Sequence, residues 1–214
     1  MQFSDSFKSS AGEHPADRWK NIGLLLGVLS VFFVLLEILH PYYWLQADNR
    51  DSYLPFFIHN WHAVAQGKFA LFNFFQNLGT PHFSVGQTAV FYPPVYAAAA
   101  LSLLFSGQLY WTMDIFAVLH LLAGAAGMFL LLRRLQNENA ASLAGAVSWA
   151  LSGFAMVTSC NSIISLPLIA FFPFMLFYCL RLNSDGKGLW PLVAARLLFF
   201  YAGYINYFAY ACLF

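Results

Sequence analysis

The segment A-V-F-Y-P-P-V-Y-A-A-A-A-L-S-L-L-F, Ala89 to Phe105, decides the fold. It is apolar but sits at the lower limit of the roughly 17–25 residues that a membrane-crossing helix needs. Its neighbours on both sides are less ambiguous, so its reading sets which face of a membrane every later loop occupies. Positive charges retained on the cytoplasmic side provide the test. Suppose the N-terminus is cytoplasmic and every apolar run crosses. Then Lys8, Arg18 and Lys20 lie inside, against Arg50, Lys68, Arg133, Arg134, Arg181, Lys187 and Arg196 outside. If Ala89–Phe105 does not cross, Arg133, Arg134, Arg181, Lys187 and Arg196 move inside, and only Arg50 and Lys68 stay out. The Pro93-Pro94 pair at its head suits a helix that starts at the interface. We therefore read Ala89–Phe105 as a juxtamembrane helix. An N-out chain in which every run crosses scores nearly as well and is the runner-up.

Composition supports a membrane setting. The chain is 60% hydrophobic, 19% aromatic and 9% charged, with mean hydropathy +0.64. Soluble domains carry about 25% charged residues, so the chain reads as an integral membrane protein whose first partner is the lipid bilayer. The ten Lys and Arg are scattered, which argues against nucleic acid as a partner. Cys160, Cys179 and Cys212 lie in or beside apolar runs, so neither a disulfide framework nor a zinc site is expected.

Working outward, Asn21–Leu39 is a first span behind Arg18 and Lys20. It exceeds the 7–15 residues typical of a signal-peptide core and reads as a retained anchor after a cytoplasmic tail, residues 1–20. Leu109–Leu132, Ala140–Val157, Ile163–Leu180 and Pro191–Phe214 complete a count of about five spans. Gln136-Asn137-Glu138-Asn139 and Ser184-Asp185-Gly186-Lys187-Gly188 read as turns. The last run reaches Phe214 without a polar tail, which suggests the front part of a longer polytopic protein. The expected fold is all-α, with residues 21–214 as one transmembrane domain. Residues 41–108 form a large first exoplasmic loop carrying juxtamembrane helices.

That loop holds most of the polar chemistry. Asp48 and Asp51 are its only carboxylates, in A-D-N-R-D-S-Y-L-P-F-F, residues 47–57. A carboxylate just above a membrane can act as general base on an acceptor hydroxyl or hold a metal ion. Both can equally be solvated charges, and Asp51 can cap the following helix. Arg50, His59, His62, Lys68 and His82 could meet a lipid phosphate. His59 and His62 share a helix face without an evident third ligand, so no metal site is assigned. Phe57, Trp61 and Phe69 are expected at headgroup level. Glu37 and His120 are ionisable groups inside apolar runs, where function is the default hypothesis.

The order of motifs resembles the GT-C superfamily of membrane glycosyltransferases, and more closely the YfhO-like bacterial membrane proteins. The matching positions are Asp48, Tyr53, Pro55 and Phe56, then Gly79, Pro81, Gln87, Phe91, Tyr92, Pro93 and Pro94. A-G-A-V-S-W-A-L-S-G-F, residues 144–154, resembles a further small-residue helix of the YfhO-like group. The resemblance implies a GT-C-like N-terminal half, set in a bacterial inner membrane with a cytoplasmic N-terminus. It implies transfer of a sugar from a polyprenyl-phosphate donor to an exoplasmic hydroxyl, with Asp48, or alternatively Asp51, as base. Arg50, Lys68, Tyr92 and His59 would attend the donor phosphate, and a divalent metal is left open as a cofactor. The competing expectation is a non-catalytic membrane component, such as an export subunit. Such relatives have more spans than this chain shows.

Overall fold

The computed structural model describes residues 15–76, 78–135 and 138–213. Most of the expected N-terminal tail, half of the 136–139 turn and Phe214 lie outside the described residues. The described residues form nine α-helices, with the longest connections at 40–53 and 66–92, and a single isolated β-bridge between Asn73 and Thr80. Five segments are long and apolar enough to cross a membrane: Asp17–Leu39, Gly86–Ser106, Thr112–Arg134, Asn139–Asn161 and Ile163–Asp185.

Helix α1 (Pro15–Leu39) buries one stripe, Ile22, Leu25, Leu29 and Phe33, the i, i+3/i+4 spacing of an inward face. Its other faces carry exposed Leu24, Val28 and Val31, the surface that a bilayer covers. The hub is α4 (Thr112–Arg134), whose Met113, Phe116, Ala117, Leu121, Ala125 and Phe129 are fully buried. Helix α7 (Leu166–Asp185) runs parallel to it. Gly124 faces the Ile169 carbonyl and Gly127 faces the Phe174 ring so closely that a Cβ at either would come within 3 Å. Small residues provide this approach where lipid supplies no hydrophobic drive between helices. At the far end Arg134 donates to Asp185 Oδ1 at 2.7 Å and to Ser184.

Helix α5 (Asn139–Ala150) returns antiparallel, with Gly145 against Leu132 and Trp149 Nε1 donating to the Ile169 carbonyl at 3.0 Å. It continues as α6 (Gly153–Asn161) after a break at Leu151-Ser152, where Ser152 Oγ accepts the Ala155 amide. The expected span Ala140–Val157 is therefore two helices, with the Ser-Gly-Phe motif as the N-cap between them.

The C-terminal end of α1 lies beside the start of α4, with Glu37 near Asp114. Helix α2 (Leu54–Ala65) buries Phe57 against Phe116. Helix α3 (Pro93–Ser106) starts beside His120, two turns into α4, and runs back to the start of α4, where Ser102 Oγ donates to the Gln108 carbonyl. At about 1.5 Å per residue this helix is roughly 21 Å long. The stretch Gly86–Ser106 is apolar enough to cross, yet its chain enters and leaves in the same half of the bundle. The ends of α1 and α6 and the starts of α4 and α7 thus gather at one pole, together with the Asn49 turn. Arg133, Arg134, Arg181 and Lys187 gather at the other.

The expected span Pro191–Phe214 does not form. Helix α8 (Leu189–Tyr201) stops, and α9 (Ile205–Ala211) folds back so that Phe208 packs on both Phe199 and Phe200. The break is Gly203, at φ +96°. A Cβ there would lie 1.6 Å from the Gly86 carbonyl oxygen. Hydropathy averages over such a break, because the residues on both sides are apolar.

Candidate functional site

The D-N-R-D element is held from its second residue. Asn49 is fully buried. Its Nδ2 donates to the Trp44 and Ser159 carbonyls at 2.8 and 2.7 Å, and its Oδ1 accepts the Ile163 amide at 2.8 Å. One amide side chain thus satisfies three backbone groups, two at the junction of α6 and α7 and one in the turn after α1. The Gln46 amide adds a bond to the Cys160 carbonyl at 3.2 Å, and buried Trp44 stacks edge-on against Phe33 and Tyr43. Asn49–Tyr53 forms one π-helical turn leading into α2.

With Asn49 turned inward, its neighbours face out. Asp48 is exposed and has no hydrogen-bond or ion-pair partner among the described residues. Asp51 does not cap α2. It takes Arg50 in a two-pronged contact, Nε to Oδ1 at 2.7 Å and Nη2 to Oδ2 at 3.2 Å. The bonded Arg50 guanidinium holds the Asp51 carboxyl below its ordinary range. The two carboxylates are therefore unequal, with Asp48 free and Asp51 neutralised by its neighbour.

A group of phenols gathers around Tyr53. The Tyr53 hydroxyl lies 3.4 Å from Ser162 Oγ, and Asp48, Tyr204 and Tyr207 all lie near it. Burial pushes the Tyr53 hydroxyl up, Ser162 opposes this, and Asp48 adds to it. The phenol therefore stays a proton donor at neutral pH. Tyr204 and Tyr207 stack at 4.5 Å at the start of α9. Neither was an expected site residue, because Y-I-N-Y at 204–207 is embedded in what reads as an apolar run. The polar signal that marks it is Gly203 followed by Asn206.

The remaining expected site residues are dispersed. His59 Nε2 donates to the Phe72 carbonyl at 3.2 Å. Lys68 is exposed beyond the end of α2, which separates it from Arg50 by roughly 17 Å of helix. Tyr92 is fully buried, its hydroxyl donating to His120 Nε2 at 2.5 Å while His120 Nδ1 donates to the Phe116 carbonyl at 2.7 Å. Both nitrogens of His120 are thereby occupied. Glu37 accepts the Tyr42 and Tyr43 amides at 2.6 and 3.2 Å, so it closes the turn after α1. Of the three residues expected at headgroup level, Phe57 is buried, Trp61 half-buried and Phe69 exposed. The reason is that α2 packs inward on α4.

A second polar cluster lies in the loop. Asn60 Nδ2 donates to the Thr88 carbonyl at 2.7 Å, which turns its Oδ1 toward His82 Nε2 at 3.0 Å. An acceptor there requires Nε2–H, so His82 Nδ1 carries a lone pair. That atom is buried without a partner. Burial pushes His82 down to about 4, with the adjacent His59 ring adding to the effect. No group of three or more His, Cys, Asp or Glu suited to a metal comes together among the described residues.

Cavities lie between the helices, three of them well delimited by described residues. One, about 650 Å³, is lined by α4, α5, α7 and α9 around Trp149 and Phe172. A second, about 370 Å³, lies between α3, α4, α7 and α8 beside His120. A third, about 230 Å³, sits where Gly86–Phe91 meets Phe200–Ile205. Asp48 lines none of them. No protein-family model, curated protein or solved structure matches this chain.

Proposed function

We propose that the chain is a membrane glycosyltransferase, or the N-terminal portion of one, that moves a sugar from a polyprenyl-phosphate donor to an exoplasmic hydroxyl. In this reading Asp48 is the base. The observation that supports it is the inequality of the two loop carboxylates. Asp48 is solvent-facing and unpaired beside protonated Tyr53, on a turn fixed by Asn49, whereas Asp51 is bound by Arg50. A general base needs an accessible lone pair and a fixed position, and only Asp48 has both. Tyr204 and Tyr207 then offer an aromatic platform near Tyr53.

The N-terminus is cytoplasmic in this reading and the 41–111 pole is exoplasmic in a bacterial inner membrane. Arg18, Lys20, Arg133, Arg134, Arg181 and Lys187 lie at the opposite pole, and the loop pole keeps Arg50 and Lys68. That asymmetry has the sign of the positive-inside rule.

Membranes containing the chain, supplied with a radiolabelled polyprenyl-phosphate hexose, test the activity. Transfer lost in Asp48→Asn and kept in Asp51→Asn supports the assignment. Transfer unchanged in Asp48→Asn removes it. A non-catalytic membrane component is the second reading, favoured by the dispersal of the expected phosphate-holding residues, with Tyr92 buried against His120 and His59 bonded to the Phe72 carbonyl. It requires that neither substitution affects the chain's role.

A further inference from the structure

Between Lys68 and Asp114 the sequence has no charged residue. The first part of that stretch is not helix but a tight hairpin in the loop. Asn73 and Thr80 exchange both backbone bonds at 2.9 Å. Asn73 Oδ1 accepts the Phe75 amide at 2.9 Å, and Gly79, at φ +112°, packs on the Phe72 ring. His59 holds the Phe72 carbonyl from α2. The hairpin is therefore built, yet its large side chains point away from the protein. Phe74 is 75% exposed, Phe75 93% and Leu78 105%.

An apolar tip fully open to water, on a braced hairpin, marks an interaction surface. Its base identifies the occupant. Phe69 packs on Phe91 at 5.4 Å, and Phe91 on Tyr201 at 6.4 Å. Phe83, in the short helical turn His82–Ser84 after the hairpin, lines the small cavity with Tyr201 and Ile205. Tyr201, Leu197 and Ile205 are exposed on the outer surface of α8 and α9. The apolar surface of the hairpin is thus continuous with the exposed apolar face of α8 and α9, on a chain with five helices apolar enough to cross a bilayer.

We infer that residues 69–83 form a membrane-dipping hairpin, with Phe74, Phe75 and Leu78 seated in the interfacial zone of the leaflet beside the α8–α9 apex. Aromatic side chains favour that zone. Lys68, exposed at the base, then lies where its ammonium meets lipid phosphate while its stem covers apolar surface. The partner is bilayer phospholipid, and the inference does not depend on any enzymatic activity.

Spin labelling tests it. The full chain, with its three cysteines changed to serine, carries one nitroxide at Phe75→Cys, or at Leu78→Cys if the first variant fails to fold. A label at Gln66→Cys, exposed at the end of α2, is the aqueous reference. In phosphatidylcholine vesicles the hairpin label is expected to show a several-fold higher ratio of oxygen to nickel-chelate accessibility than the reference. Equal ratios at both sites overturn the inference. So does dipolar broadening between hairpin labels, which would identify a second copy as the occupant.

Discussion

The side chain of Asn49 accepts the backbone amide of Ile163 across 114 residues of chain. The bond ties the first turn of the loop to the start of α7, and with it the position of Asp48. Replacing Asn49 by alanine strands the Ile163 amide and the Trp44 and Ser159 carbonyls in a buried site. Unsatisfied buried groups cost about 1–3 kcal/mol each when they cannot rehydrate. We expect Asn49→Ala to lower stability by about 2–4 kcal/mol, read as a fall in melting temperature in detergent. Asn49→Asp keeps the acceptor but removes both donated bonds, and is expected to be no better.

Gly86 and Gly203 meet backbone to backbone. Gly203 also holds a positive φ that a β-carbon disfavours. Gly203→Ala is expected to cost about 2–4 kcal/mol through strain and overpacking together. Gly107→Ala is the control: it too has a positive φ, +69°, but nothing lies near its would-be Cβ. A smaller fall in melting temperature for Gly107→Ala than for Gly203→Ala separates contact from backbone strain. Equal falls would show that the Gly86 contact contributes nothing.

His82 gives the loop a pH dependence whose sign follows from its burial. The folded state holds His82 neutral down to about 4, while an unfolded histidine takes its proton near 6.5. Below that value the unfolded chain binds the extra proton, so stability falls as pH drops from about 6.5 towards 4. The full contribution, present above 6.5, is on the order of 3 kcal/mol. Melting temperature measured between pH 7.5 and pH 5 should decline in the wild-type chain. His82→Gln should flatten that decline, and an unchanged slope would remove His82 as its source.

Much of the helical plan is legible in the residues, because long apolar runs between charged turns leave few alternatives. The first span and the α4 and α7 runs match within a few residues. The α8–α9 hairpin is not legible, since Gly203 sits in an unbroken apolar run and its cause is a glycine over a hundred positions away. The double role of D-N-R-D is legible only in part. Asp48 and Asp51 stand out as carboxylates, but nothing local reveals that Asn49 turns inward or that Arg50 takes Asp51. Tyr204 and Tyr207 are not legible for the same reason: tertiary contact, not local pattern, brings them near Tyr53. Tyr92 precedes Pro93-Pro94 as a loop residue in sequence, yet the antiparallel packing of α3 on α4 buries it against His120.

The arrangement rests on the whole 41–111 segment lying at one pole, opposite Arg133, Arg134 and Lys187. Single cysteines at Ser84 and Lys187 in the otherwise cysteine-free chain, probed on intact cells with a membrane-impermeant maleimide, test this most directly. Labelling at Ser84 and protection at Lys187 until the membrane is opened are the expected result. Labelling of both sites on intact cells, or protection of Ser84, would contradict it.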